Sequence, residues 1–139
     1  MKAVFVGTSA FLAALDKGDK FHPEAAKKWS VLASYKTALW TTDYILLESW
    51  ILIQRRLGAE AVMAFQDDWL PLFKIHEVGL DGFERAAAQR GIAQRHNLSL
   101  IDLTSFDSMR QLGIRTALAF DQHFQEMGYL EVETGGENC

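Results

Sequence analysis

Short apolar runs alternate with segments of helical periodicity along this chain, and that alternation limits the folds open to it. The first run covers residues 3–6, and apolar residues at helical spacing follow it through Phe11, Leu12 and Leu15. Strands that alternate with helices pair in parallel through right-handed crossovers. We therefore predict a three-layer α/β/α domain with a mostly parallel sheet of about five strands. The other predicted strands are 38–41, 73–78, 98–101 and 116–120, with a short last strand at 130–133.

Capping residues and breakers predict where the helices begin and end. Thr8 or Ser9 is the candidate N-cap of the first helix, and Thr42 or Asp43 caps a long apolar helix that ends near Leu57. The other predicted helices cover about 22–33, 59–69, 81–96, 103–112 and 121–127.

Composition indicates one globular domain in a reducing compartment. The 139 residues are 49% apolar and 23% charged, which suits a domain with a real hydrophobic core. No apolar run approaches the roughly 20 residues that span a bilayer, and residues 1–6 are too short an apolar run for a signal peptide. The only cysteine is Cys139. We expect a cytoplasmic protein without membrane contact, with one domain over residues 1–133 and a disordered tail at 134–139.

Acidic residues stand where predicted elements meet. Asp102 and Asp121 each follow an apolar run, and Glu48 lies inside the apolar stretch 44–53. In a parallel α/β sheet, ligands bind outside the carboxyl ends of the strands. Carboxylates gathered there suit Mg²⁺ or Mn²⁺, which prefer hard oxygen ligands and can activate water against a phosphodiester. The place after the first strand holds Gly7, where the same logic predicts an acid.

Each acid also has a purely structural explanation. Asp102 and Asp121 both precede predicted helices, and Asp is a favoured N-cap. Glu48 needs a partner in so apolar a helix, and an arginine would serve. The conjunction of three acids at one end of a sheet favours a site over three separate structural roles. The net charge of −4 argues against a protein that grips nucleic acid by charge alone.

Nucleophilic catalysis by serine or cysteine has little support. Cys139 is in the polar tail, and Ser9 has no evident histidine partner. His76 alternates along a predicted strand and is expected at the surface, whereas His123 either faces the acidic site or faces solvent.

At this point the sequence resembles the PIN-domain nucleases, and especially the VapC-type toxins of bacterial toxin–antitoxin pairs. The resemblance covers nearly the whole chain. Residues 4–12 are similar to the family's hydrophobic-Asp-Thr-Ser-aromatic start, and residues 41–48 to its Thr-Ser-x-x-x-x-x-Glu segment. Residues 98–106 match its Ser-x-x-Asp-x-x-Ser element, and residues 119–124 its closing x-x-Asp-x-x-Phe motif. Four motifs in the right order are specific, although each alone is weak.

The resemblance implies roles for five side chains. Glu48, Asp102 and Asp121 are the implied metal-binding acids, for Mg²⁺ or Mn²⁺, and Thr8 and Ser105 are the implied supporting hydroxyls. Gly7 departs from the family, which places its first metal-binding Asp at this position. Gly7 supplies no carboxylate, so the resemblance implies a metal-dependent endoribonuclease whose activity is impaired.

The resemblance also implies partners: an RNA substrate, single-stranded or structured, an antitoxin protein and a second copy of the chain. We expect part of the helix pair over 44–70 to be buried against an antitoxin or a twin subunit, because residues 44–53 are so apolar. Two other interpretations stay open. One is a non-catalytic PIN-like module that binds RNA or protein, and the other is a phosphatase-like hydrolase.

Overall fold

The computed structural model describes residues 2–134 and consists of a parallel sheet covered by helices. The sheet order is β3-β2-β1-β4-β5, and each neighbouring pair is parallel. The predicted three-layer α/β/α architecture is confirmed. The strands are β1 (Ala3–Val6), β2 (Ala38–Thr42), β3 (Phe73–His76), β4 (Thr116–Leu118) and β5 (Leu130–Glu131).

Helices connect the strands. The segment Phe65–Trp69 forms a π-helical turn after α4, and Leu70–Leu72 forms a 3₁₀ turn before β3. The α-helices are α1 (Thr8–Leu15), α2 (His22–Ser34), α3 (Asp43–Leu57), α4 (Ala59–Ala64), α5 (Gly79–Ala87), α6 (Arg90–His96), α7 (Leu100–Leu112) and α8 (His123–Glu126).

Strand β1 is the centre of the core. Val4, Phe5 and Val6 are fully buried, as expected for a middle strand of a parallel sheet covered on both faces. Aromatic rings form two groups around this strand, the first on α1, α2 and the segment 65–73. The first group is Phe11, Trp29, Phe65, Trp69 and Phe73, and the second is Phe5, Phe106, Phe124 and Tyr129. Because β1 is so deeply buried, its carboxyl end at Gly7 has a well-defined position.

The long apolar helix α3 forms as predicted. Its N-cap is Thr42, whose hydroxyl accepts a hydrogen bond from the Ile45 N–H at 3.1 Å. Asp43, the other candidate N-cap, instead accepts a hydrogen bond from the Val78 N–H with its carboxylate, at 3.0 Å. Arg55 and Arg56 occupy the last turn, where cations suit the helix dipole.

The predicted strand at residues 98–101 is wrong. Ser99 caps α7, and it exchanges two hydrogen bonds with Asp102: the Asp102 N–H donates to Ser99 Oγ at 3.1 Å, and the Ser99 N–H donates to Asp102 Oδ2 at 3.0 Å. This is a capping box, and it draws Leu100 and Ile101 into the first helical turn. Asp102 therefore lies in the first turn of a helix rather than at the end of a strand.

Other boundaries also differ from the prediction. The single helix expected over 81–96 is two helices, α5 and α6, with a turn at residues 88–89. Neither glycine nor proline stands at that turn, and both helices pack against α7, so tertiary packing sets the break. His76 is half-buried rather than at the surface, because its Nδ1 lies 3.0 Å from Ser108 Oγ. The tail expected to be disordered lies, except for Thr134, outside the described residues.

Among residues 2–134, no helix is both long enough and apolar enough to cross a bilayer. Large aromatic side chains in and near the helix pair over 44–70 pack against the core. Phe65 is buried, and the four tryptophans are partly buried against the core. The exposed apolar side chains of the helix pair are instead Leu47, Ile51 and Met63.

The capping box yields a stability prediction. We expect Ser99→Ala to lower the free energy of unfolding by about 1 kcal/mol, because the N–H of Asp102 loses its acceptor. Ser99→Asp, which keeps a capping oxygen, should retain most of the stability. Urea denaturation followed by circular dichroism measures both. Equal stability of the alanine and wild-type chains would contradict the capping role.

Candidate active site

The site begins at Gly7, where β1 ends and α1 starts. Gly7 is buried, and its backbone φ of −93° and ψ of 170° suit any residue. A Cβ built here would meet Ala119 Cβ at 3.4 Å and the Phe124 ring at 3.5 Å, which is close to ordinary van der Waals contact. Neither the backbone nor the packing therefore demands glycine at this position.

Thr8 and Glu48 are joined by a short hydrogen bond. Thr8 Oγ1 donates to Glu48 Oε1 at 2.6 Å, and Ser49 Oγ donates to Thr8 Oγ1 at 3.4 Å. A hydroxyl bonded to a carboxylate is a charge-assisted contact, which explains the short distance. The partner of the acid in this apolar helix is thus a hydroxyl of α1 and not an arginine.

Ser9 donates a hydrogen bond to Asp121, as Thr8 does to Glu48. Its Oγ donates to Asp121 Oδ2 at 3.2 Å and accepts the Phe120 N–H at 2.8 Å. Thr8 and Ser9 were predicted as N-caps of α1, and that prediction is wrong. The N-cap is Gly7, which has no side chain to donate or accept. Because successive helical residues are about 100° apart around the axis, the two hydroxyls reach two different acids.

Asp102 is connected to the site through His123. His123 Nδ1 lies 2.9 Å from Asp102 Oδ2 and 3.7 Å from Asp121 Oδ1. Asp121 Oδ1 also accepts the backbone N–H of His123 at 3.1 Å, which holds the start of α8. His123 therefore faces the acids rather than solvent, which decides between the two orientations that the sequence left open.

The acids and hydroxyls surround one small cavity of about 40 Å³. Ser105 is buried at its wall, one helical turn after Asp102, and its Oγ donates to the Ile101 carbonyl at 3.0 Å. All five residues predicted for the site thus meet at one place. The lining residues are Gly7, Thr8, Ile45, Glu48, Ile101, Asp102, Ser105, Asp121 and Phe124.

The donor chemistry suits a hard divalent cation, but the donor arrangement is incomplete. Carboxylate and hydroxyl oxygens are the ligands that Mg²⁺ and Mn²⁺ prefer. Within residues 2–134, however, no three acidic, histidine or cysteine side chains are grouped so that they could hold a metal ion. Gly7 offers no carboxylate, and Asp102 is occupied by Ser99 and His123. Glu48, Asp102 and Asp121 share a cavity, and their role as ligands stays a prediction.

Three polar residues around the cavity are not among the five predicted site residues, although the sequence left open that His123 faces the acids. Ser9, Ser49 and His123 all bond to the predicted site residues. A signal existed for Ser9, because the Thr-Ser pair directly follows the strand that leads to the site. No local pattern marks Ser49, whose hydroxyl matters only because α3 packs on α1.

Comparison with known proteins agrees with the fold. The PIN-domain family profile matches residues 4–129. The chain is 34% identical over 130 residues to the 23S rRNA-specific endonuclease VapC20 of Mycobacterium tuberculosis, an alignment that covers 93% of this chain and 97% of that protein. The chain belongs to the PIN-domain family, and the predicted resemblance to its VapC-type toxin ribonucleases is confirmed.

Solved structures give the same result. The crystal structure of Mycobacterium tuberculosis VapC20, described as a toxin that cleaves the sarcin-ricin loop, superposes with a TM-score of 0.82 at 32% identity and covers 92% of this chain and 97% of that one. VapBC2 from Rickettsia felis, bound to a DNA fragment from its promoter, has a TM-score of 0.67 at 14% identity and covers 94% of this chain and 97% of that chain. The second likeness shows a shared fold only.

The contacts of Ser9 lead to a further stability prediction. We expect Ser9→Ala to lower the free energy of unfolding by about 1–2 kcal/mol, because the Phe120 N–H loses its acceptor in a half-buried place. The matched control is Ser34→Ala on α2, whose exposed hydroxyl donates to the Ser30 carbonyl. Chemical denaturation of both variants provides the comparison. If Ser9→Ala proves no more costly than Ser34→Ala, the hydroxyl does not hold the β4–α8 junction.

Proposed function

We propose that the chain is a divalent-metal-dependent endoribonuclease whose cation site is incomplete. The observation that carries this proposal is the cavity at which Glu48, Asp102 and Asp121 meet. PIN-domain VapC nucleases generally depend on a divalent metal, and these acids are the ligands that we propose for Mg²⁺ or Mn²⁺. The bound cation would polarise the phosphodiester and activate a water. We propose a cytoplasmic location, where such a substrate is found.

The chain's own residues would hold and orient the reacting groups. Thr8 and Ser9 donate to Glu48 and Asp121, so each carboxylate keeps one oxygen directed by a hydroxyl. Ser105 also lines the cavity, and a hydroxyl that donates one hydrogen bond can still accept another. Such preorganised polar groups lower the cost of positioning the substrate during the reaction.

Ribosomal RNA is the substrate class that we propose. The support is the relationship to VapC20, a 23S rRNA-specific endonuclease to which this chain aligns over 93% of its length. The net charge of −4 fits a protein that contacts RNA phosphates through a bound metal cation as well as through lysine side chains.

Gly7 is the proposed cause of weak activity in this chain. An aspartate at this position would lie at the cavity wall and at the N-cap of α1, where Asp is favoured. The non-catalytic module that binds RNA or protein remains the second candidate, and the missing carboxylate is the observation that favours it.

We predict that Gly7→Asp raises RNA cleavage in Mg²⁺ or Mn²⁺. Loss of residues that merely orient a metal ligand costs about 10- to 100-fold, so a coordinating carboxylate should raise the rate by at least about 100-fold. Gel analysis of ribosomal RNA fragments measures cleavage, and the shift of the melting temperature on adding Mn²⁺ measures binding separately.

Two variants control this experiment. Gly7→Asn has nearly the same size without the charge and should stay inactive, and Asp121→Asn in the Gly7→Asp background should lose the gain. A folded Gly7→Asp protein that binds Mn²⁺ and cuts no RNA would favour the binding module. Equal cleavage rates for the wild-type and Gly7→Asp chains would show that Gly7 does not impair RNA cleavage.

An apolar groove beside the site is the proposed seat of the antitoxin. Its volume is about 390 Å³, and Leu47 on α3 is 64% exposed at its edge. Glu48 also borders the groove, so a segment bound there would end against the acids. The groove is lined by Tyr44, Leu47, Glu48, Ile51, Leu52, Leu100 and Ile101. An amphipathic antitoxin helix in such a groove is a common mode of recognition. We also propose that the chain forms a homodimer.

We predict that Leu47→Glu weakens binding of the antitoxin encoded by the adjacent reading frame. Burial of one leucine contributes about 1.5–3 kcal/mol, so the affinity should fall by at least about tenfold. Met63→Glu on α4 is the control, since Met63 is similarly exposed at 61% and does not line the groove. Isothermal titration measures the affinity of both variants. Unchanged affinity for Leu47→Glu would place the antitoxin elsewhere.

Sedimentation of the purified chain over a wide concentration range tests the homodimer.

A further inference from the structure

Two phenylalanine rings stack beside the acidic cavity. Phe21, at the start of α2, and Phe120, after β4, have ring centroids 5.3 Å apart and planes inclined by 17°. Both side chains are half-buried, so part of the aromatic surface meets solvent. We call Phe21, Phe120 and Lys20 the aromatic patch.

The aromatic patch is connected directly to the acids. The Phe120 N–H donates to Ser9 Oγ at 2.8 Å, and the same hydroxyl donates to Asp121 Oδ2 at 3.2 Å. Phe120 also precedes Asp121 in the chain. Phe120 is therefore the residue next to the cavity-lining Asp121, and its backbone shares the Ser9 hydroxyl with that acid.

Lysines contact both rings, but only one of them is available to a ligand. Lys28 lies 5.5 Å from the Phe120 ring centroid, is buried, and has its ammonium within 3.4 Å of Glu24 and 3.9 Å of Glu131. Lys20 Nζ lies 4.9 Å from the Phe21 ring centroid, and this residue is exposed. The patch thus presents a cation and an aromatic ring together at its solvent side.

The turn before α2 holds Phe21 in place. The Phe21 N–H donates to Asp19 Oδ1 at 2.8 Å, and the His22 ring Nδ1 lies 2.7 Å from the Ala13 carbonyl oxygen. The first bond closes the turn, and the second ties it to α1. A ring whose backbone is already ordered loses little conformational entropy when a ligand binds.

We propose that the aromatic patch binds one nucleotide that flanks the scissile phosphate. Phe120 covers one face of the Phe21 ring, so the base stacks on the other face, from which the Lys20 side chain moves aside. The displaced Lys20 ammonium then contacts a phosphate oxygen. Unpaired RNA bases are commonly recognised by stacking on aromatic side chains, with basic groups along the backbone. This inference rests on the proposed ribonuclease function and deepens it by naming where the substrate is held outside the acidic cavity.

The test measures RNA binding without cleavage. A fluorescein-labelled RNA hairpin with the sarcin-ricin loop sequence is titrated with the wild-type chain in EDTA, and anisotropy gives the affinity. We expect Phe21→Leu to weaken binding by roughly 5- to 100-fold, the range for loss of one base–aromatic stack. Phe21→Trp should bind the hairpin with an affinity close to that of the wild-type chain, because tryptophan keeps an aromatic face at this position. Thermal unfolding shows that each variant is folded.

Lys20→Gln provides a second test that does not disturb the ring pair. The slope of log affinity against log salt concentration should fall in magnitude by about 0.7, the value for one phosphate contact on single-stranded RNA. Lys27→Gln, at an exposed position of α2, is the matched control and should leave the slope unchanged.

Two results would overturn the subsite: a folded Phe21→Leu chain with unchanged affinity, or Lys20→Gln with an unchanged salt slope. An absence of hairpin binding to the wild-type chain would overturn it as well. A different result would contradict the proposed function, namely that the Gly7→Asp chain does not cleave RNA. A Phe21 effect that persists in that case would leave the subsite standing as part of a binding module.

Discussion

The first turn of α1 holds the candidate site together. Thr8 and Ser9 are adjacent in sequence, and each donates a hydrogen bond to a carboxylate from a distant part of the chain, Glu48 and Asp121. Their positions follow from β1, whose fully buried side chains leave the end of the strand little freedom. A displacement of this turn would move both acids at once, because neither Glu48 nor Asp121 receives another side-chain hydroxyl in the described contacts.

Asp102 combines a structural and a site role. One of its oxygens closes the capping box of α7 with Ser99 and also meets His123 at 2.9 Å. The capping explanation for this acid is correct in part, because Ser99 is the N-cap and Asp102 is its N3 partner. Asp102 also lines the cavity, and its role as a metal ligand stays a prediction. A carboxylate that is bonded on this side has less freedom to turn towards a cation, which fits the incomplete donor arrangement around Gly7.

Much of the fold could be predicted, and the errors have identifiable causes. The four apolar runs that became β1, β2, β3 and β4 are strongly β-branched, aromatic or apolar, and each is followed by a clear helix signal. The run at 98–101 is equally apolar, but the hydrogen bonds of Ser99 with Asp102 outweigh it. A serine three residues before an acid is itself a signal for a helix start, and here it is the better guide than the apolar run.

The sequence by itself determined most of the alternation of strands and helices, the three acids and the glycine at position 7, because these depend on local periodicity and on residue identity. Only the tertiary structure decided what each polar group does. Thr8 and Ser9 could have capped α1, and they bond to Glu48 and Asp121 because α3 and β4 pack beside that turn. The stacking of Phe21 on Phe120 joins residues almost a hundred positions apart. Local patterns cannot specify such contacts, since they arise only when the packed sheet brings the ends of its strands together.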